Sequence, residues 1–339
     1  RWGAQALNGL VTLLLVPRWL AGAGASAYFD GEVEAQDALA RTVIAGIEAQ
    51  DGPTAYRTGN LRFDGQSTVA IHQMALLGLG QIVLEHPEKR AAYLPAMRAA
   101  AAHLADPSTI AYADHVYEKK ADRKHDEGHA YLGYTNLGLS MLRLIDPENP
   151  HAALNDQITA DLARGIEASP HGMIETYPGE TWPPDVAAVI GSIGLHARAT
   201  RTDRTALLAT WAARFEPCAV HPGSGLLVQR VVSGGCVAED APRGSGTAIA
   251  AYFLSFATPA LARRLHGALA SQLAVDVLGF GGVREYVRGA SGEGDVNAGP
   301  IVFGVSVGAA SLKLSAARSQ GDRAMFRALY RSTSLFGVP

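Results

Sequence analysis

The amino-acid sequence predicts an all-α protein, an (α/α)6 toroid of two concentric helical rings, with a short β-hairpin inserted near 225–240. Three observations carry this expectation. Helical stretches built almost wholly of small and apolar residues begin near 66, 126, 185, 244 and 296, a recurrence of about 52–60 residues. Each is followed by an amphipathic stretch. A helix that is apolar all round has to be buried all round, whereas an amphipathic one keeps a face in water. The period is also longer than the roughly 34–47 residues of the common helical solenoids, and stacked hairpins hide their two end faces only by closing on themselves. An open HEAT-like superhelix is the alternative.

The elements follow in order. Residues 2–21 read as a first helix interrupted near Pro17, or as the remnant of an N-terminal anchor. The apolar core at 10–16 is shorter than the ~18 residues a spanning helix needs. In 33–50, Ala35, Ala38, Leu39, Val43, Ile44 and Ile47 fall at helical spacing. The polar segment 58–65 leads into a buried helix, 66–85, and 88–105 returns. A charged loop, 117–127, precedes 128–145, with 152–168 outside it. The stretch 175–185 precedes 186–199, and 204–215 returns. Residues 225–240 alternate through Leu227, Gln229 and Val231 toward Gly234-Gly235, a hairpin pattern. Residues 241–243 open the helix 244–256, backed by 259–275. The segment 284–294 leads into a helix over 296–317, and 323–333 closes a single domain covering 1–339. Gly78, Gly80, Gly133, Gly138, Gly191, Gly194, Gly304 and Gly308 fall inside these buried helices. Each lowers helix propensity by about 1 kcal/mol, which close approach of backbones would justify.

Composition narrows the function. The chain is 48% hydrophobic and 18% charged, with a formal net charge of −3. Without a basic run, nucleic acid is excluded as a partner. Cys218 and Cys236 flank the expected hairpin, and two readings stay open: a disulfide, or two buried free thiols. No CxxC pair is present. His125 and His129 are four residues apart, but the intervening Glu127 is not at the HExxH position, so no metal is expected. Gly292-Glu293-Gly294-Asp295 lacks the strand–turn–helix setting of a dinucleotide site, and no cofactor is expected. Membrane association through the N-terminus and homo-oligomer formation stay open. An extracytoplasmic or membrane-associated location is slightly favoured over the cytoplasm.

If the apolar helices run parallel, their N-termini open on one rim, and the loops there carry the informative side chains. Opposite loops, 86–88, 146–150, 200–203 and 319–322, look like plain turns. Some rim acids, Asp126 and Asp295 among them, are explained as N-caps and dipole partners. The accompanying Tyr, Trp and Arg are not. Paired carboxylates in contrasting surroundings do acid–base chemistry, and aromatic faces stack on sugars. The candidate catalytic residues are therefore Glu180, Asp185, Asp295 and His129. The candidate substrate-binding residues are Tyr177, Trp182, Tyr131, Arg243, Tyr286, Arg288 and Asp64, with the two arginines suited to an anionic group.

The six-hairpin pattern is similar to the toroids of glycoside hydrolases, polysaccharide lyases and sugar epimerases. Within it, Ala130-Tyr131-Leu132-Gly133-Tyr134-Thr135-Asn136-Leu137-Gly138-Leu139 and the segment 175–199 resemble regions of the linalool dehydratase/isomerase domain family. That resemblance implies the same barrel and a pair of catalytic cysteines near the start of the helix matching 182–199. No cysteine occurs there in this chain. The expected function is an enzyme acting on a carbohydrate or glycan-like substrate by hydrolysis or elimination. The alternatives are a dehydratase/isomerase-like lyase on a small alcohol such as a terpenoid, and a helical-repeat binding scaffold.

Overall fold

A computed structural model describes residues 16–49, 59–114, 129–295 and 297–335. Among these the protein is mainly helical, with one small antiparallel sheet. Its helices are α1 (Ala25–Asp30), α2 (Val33–Glu48), α3 (Leu61–Glu85), α4 (Arg90–Ala105), α5 (Pro107–Ile110), α6 (Leu132–Ile145) and α7 (Ala152–Ala168). They continue with α8 (Pro183–Thr200), α9 (Thr205–Ala219), α10 (Gly244–Phe253), α11 (Pro259–Gln272), α12 (Val307–Ser319) and α13 (Arg323–Leu335). Residues 16–21 are also helical, and the rest of the expected first helix lies outside the described residues.

The apolar helices form a contiguous series: α3 packs on α6, α6 on α8, α8 on α10, and α10 on α12. Each has its sequence successor packed behind it, α4, α7, α9, α11 and α13 in turn. The physical reason is in the side chains. From Val186 to His196 every residue of α8 is buried, so it needs neighbours on all sides. In α7 only the stripe through Asn155, Ile158, Thr159, Leu162, Ala163 and Ile166 is buried. The helix α3 is long and apolar enough to cross a membrane, but it is enclosed by α4 and α6 and belongs to the core. Asn60 caps it by accepting from the Arg62 backbone N–H at 3.0 Å. Helix formation therefore starts earlier than expected, and Arg62 and Asp64 sit on its first turn rather than in a loop.

Close approach in two helix contacts, α6 on α8 and α8 on α10, explains two glycines. A Cβ on Gly133 of α6 would lie 2.6 Å from the backbone nitrogen of Val189 in α8. One on Gly191 would lie 2.5 Å from the Phe253 carbonyl oxygen. Gly78 has open space around it, so close approach does not account for that residue. A polar network is sealed where α6, α7 and α8 meet. Asn136 donates to Thr159 at 3.0 Å and to Ser192 at 2.9 Å, and Asn155 donates to Asn136 at 2.6 Å and to Ser140 at 3.0 Å.

The β structure is not where the sequence suggested. Residues 225–240 form no regular hairpin, only isolated bridges such as Val231 with Thr181 and with Ala238. The strands lie later: β1 (Ala274–Val277), β2 (Phe280–Arg284), β3 (Ile301–Val302) and β4 (Val305–Ser306), in the order β1-β2-β4-β3. The turn between β1 and β2 uses Leu278 and Gly279, at φ 56° and 86°. The helix expected over 296–317 thus begins only at Val307. Gly304 belongs to the β3–β4 turn at φ 80°, and Gly308 lies in the first turn of α12, against the Asn297 carbonyl. The expected difference between helix ends does hold. Among the described residues, the connections before α8, α10 and α12 are long, while those after α3, α6, α8 and α12 are short turns.

Candidate functional site

The segment 175–185 is folded onto the start of α8. Tyr177 and Glu180 pair across a tight turn that needs Gly179 at φ 75°. Pro183 and Pro184 then begin the helix, where a missing N–H leaves no hydrogen bond unmade. This puts Asp185 on the first turn, under the folded-back segment. Its Oδ1 accepts from the Tyr134 hydroxyl at 2.7 Å and its Oδ2 from the Thr176 hydroxyl at 2.9 Å.

Asp185 is enclosed deeply by protein, yet part of its surface stays open to water. Burial pushes its carboxyl above the usual range, against the two hydroxyl donors and the pull of Arg62; the charge of Glu180 adds to the rise. Burial and the adjacent Asp185 hold the Tyr134 phenol well above its ordinary value, so it remains a donor.

Beside Asp185 stands an aromatic and ionic wall. The rings of Tyr131 and Tyr177 stack at 5.5 Å, and Tyr112 meets Tyr131 edge-on at 6.3 Å. The Arg62 guanidinium lies 4.1 Å from the Tyr177 ring centre and donates to Glu180 at 2.9 Å. Gln66 donates to the Tyr177 hydroxyl at 2.8 Å. Trp182 donates its indole N–H to Glu180 at 3.3 Å, while Arg230 sits 5.6 Å from the Trp182 ring centre. Asp64 is buried on the same turn of α3 as Arg62.

A second group surrounds the start of α10. Arg243 is ion-paired with Asp295 at 2.9 Å and with Asp240 at 2.5 Å, and lies 5.6 Å from the Tyr286 ring centre. Asp295 also accepts from the backbone of Asn297 and Ala298, so it anchors a turn as well as an ion pair. Glu285 is fully buried and accepts from the Ser245 hydroxyl at 2.6 Å and the Ser245 N–H at 3.1 Å. Burial raises its carboxyl above the ordinary range. Gln229 is wedged between the two groups, close against Gly246 of α10, which itself abuts Pro184 of α8.

The structure therefore divides the expected site. Glu180, Asp185, Tyr177, Tyr131, Trp182 and Asp64 gather at one place. Asp295, Arg243 and Tyr286 belong to the neighbouring group, and Tyr286 turns its hydroxyl to the Glu293 carbonyl at 2.9 Å. Arg288 is exposed. His129 is buried, 6.3 Å from the Tyr131 ring, and lines a separate cavity of about 500 Å³ with Glu175 and Thr181. His125, Asp126 and Glu127 lie outside the described residues. The sequence reading missed Tyr134, Thr176, Gln66 and the Ser245–Glu285 pair as site residues. Two of these had a signal: Tyr134 is three residues after Tyr131, and Gln66 four after Arg62, the spacings that share a helix face.

Cys218 and Cys236 are joined in a disulfide beside His171. The chain matches no known family model and no curated protein.

Proposed function

We propose that this chain is an enzyme acting on a carbohydrate or glycan-like substrate by carboxylate acid–base chemistry, at the group around Asp185 on the start of α8 in an (α/α)6 toroid. The toroid reading is supported by contacts between helices far apart in sequence. Arg318 of α12 donates to both Glu85 oxygens of α3 at 2.8–2.9 Å, and Gln81 of α3 donates to Tyr252 of α10 at 2.7 Å. These tie the first apolar helix to later ones, as a closed ring requires.

The observation that carries the functional reading is the contrast between two nearby carboxyls. Asp185 is closely enclosed though still partly exposed, held by two hydroxyls and pushed toward its protonated form. Glu180 is ion-paired with Arg62. Surroundings that separate two carboxyls in this way assign one as acid and the other as base or charge stabiliser. Trp182, partly exposed, supplies a flat apolar face beside polar groups, suited to a sugar ring, while Tyr177 and Tyr131 are buried and stacked on each other, so they brace the site rather than meet a substrate. In this reading Asp185 protonates the leaving oxygen, and Tyr134 and Thr176 hold the carboxyl in place. Glu180 either activates water or draws a proton from carbon, giving hydrolysis or elimination. Both cysteines being in a disulfide weighs against a mechanism that uses a free cysteine pair.

The test is a panel of neutral and uronate-containing polysaccharides, read for new reducing ends and for the ultraviolet absorbance of a new double bond. Asp185→Asn keeps the shape and can accept from one of the two hydroxyls, its NH2 donating to the other, but it has no proton to give to a leaving group. It should lower turnover by about 10²–10⁴-fold, the range a general acid contributes. Undiminished turnover in this variant would sink the assignment.

A further inference from the structure

The disulfide lies in a setting that suits a second chemistry. Cys218 closes α9, while Cys236 stands exposed in the loop that follows Gly234 and Gly235. The Nδ1 atom of His171 is 3.6 Å from the Cys218 sulfur. The ligand atoms of His171, Cys218 and Cys236 all lie within 4.8 Å of one another. With zinc–sulfur bonds of about 2.3 Å and a zinc–nitrogen bond of about 2.05 Å, a tetrahedral ion sets sulfur and nitrogen about 3.6 Å apart, and its two sulfurs about 3.8 Å apart. The histidine is thus already at ligand distance. Only the two sulfurs must separate, by less than about 2 Å. The exposed loop around Cys236, with Gly234 at φ 68°, is the side that can move.

We propose that reduction of this disulfide creates a binding site for a thiophilic divalent cation, zinc in the first place, with His171, Cys218 and Cys236 as its three protein ligands. The redox step uses a dithiol reductant. One of its thiolates attacks a cysteine sulfur, the S–S bond breaks, and the second thiolate displaces the mixed disulfide. The reductant leaves as a cyclic disulfide, and both cysteines leave as thiols. Metal binding then releases one proton from each thiol, because the thiolate is the ligand.

Three protein ligands leave a fourth, open position for water, the pattern of a reactive rather than a purely structural zinc site. The same place borders the cavity of about 500 Å³ lined by His129, His171, Glu175, Thr181 and the two loop glycines. Ser233, at the base of that loop, donates a hydrogen bond to Glu175, which also lines the cavity. That lining includes none of the residues that contact Asp185, and the test of the site does not depend on the proposed activity.

The experiment uses the full chain, reduced with dithiothreitol under argon, desalted and titrated with Co²⁺, then with Zn²⁺. The expected result is a thiolate-to-cobalt charge-transfer band that saturates at one equivalent and is bleached by one equivalent of Zn²⁺. The oxidised protein should show no such band. His171→Ala should keep two titratable thiols after reduction and a native circular-dichroism spectrum. Its metal affinity should fall more than about tenfold, the least that loss of even an outer-shell partner brings. Cys236→Ser should abolish the band. A reduced, folded protein with two free thiols and no band would overturn the proposal, as would a band unchanged by His171→Ala.

Discussion

Lys313 offers the sharpest physical test. It lies in the middle of α12 with none of its surface exposed. Its Nζ is 2.7 Å from Nδ1 of His266 and donates to the His266 carbonyl at 2.9 Å. Nε2 of His266 is in turn 2.9 Å from Asp322, which caps α13. The arrangement is coherent if His266 is neutral, protonated on Nε2 toward Asp322 and accepting on Nδ1. Burial lowers the lysine from 10.5 to about 7, with Asp322 opposing the shift. His266 is itself lowered, first by burial and then by Lys313, and Asp322 lies below its ordinary value, so neither titrates between pH 7 and 10.

The direction of the pH effect follows. Between about pH 7 and 10.5 the unfolded chain holds a proton on this lysine that the folded chain does not. Stability must therefore rise with pH across that window. It is complete above the unfolded value, falls by about 1.4 kcal/mol per unit as pH drops, and levels off below the folded value. The full span is about 4–5 kcal/mol. Lys313→Met keeps the stem and removes the charge, at the expense of leaving the His266 acceptors unpaired, about 1–3 kcal/mol. The variant should be about 2 kcal/mol more stable than the parent near pH 7 and less stable near pH 10. Guanidinium unfolding at half-unit steps from pH 6 to 9.5 gives the difference curve between the two proteins. A flat difference between pH 7 and 9.5 would show that Lys313 is charged in place and refute the reasoning.

The remaining expectations test the site and the core. Tyr134→Phe removes a donor from the Asp185 carboxylate, so the alkaline limb of any activity profile should move to higher pH, while Thr176 still holds the group; a limb that stays put separates Asp185 from that titration. Gly133→Ala drives a methyl into the Val189 backbone and should destabilise by about 1–3 kcal/mol, read from the denaturation midpoint. Asn136→Ala strips partners from Asn155, Thr159 and Ser192 and should lower stability by about 2–4 kcal/mol; an unchanged midpoint would mean water replaces the amide. His72, fully buried and stacked at 4.5 Å on His103, is lowered to about 4 by burial, with His103 adding to the shift. Stability should thus fall as pH drops from about 6.5 to 4, and His72→Phe should flatten that acid limb in the same unfolding assay.

Much of the helical plan could be read from the sequence, because burial on all sides demands an uninterrupted apolar run. The 186–199 stretch could only be a core helix, and 152–168, with its single apolar stripe, only a covering one. The difference between long and short connections was legible for the same reason. The region 274–306 was not. Its strands are two to five residues long, and the apolar Ile301-Val302-Phe303 run before the start of α12 reads as well for a helix as for a strand. What settled it is the pairing of β2 with β4, a contact between segments about twenty residues apart.

The site followed the same division. Glu180, Trp182 and Asp185 stood out because three polar or aromatic residues precede an apolar helix. Their roles depend on partners that no local pattern names: Arg62 from α3, Tyr134 from α6 and Thr176 from a turn folded back over the helix start. The sequence by itself determined which helices are core and at which ends the long connections lie, since periodicity and composition act over a few turns. Only the tertiary structure decided which carboxyl is buried and which is paired, because desolvation and charge depend on atoms brought from other hairpins.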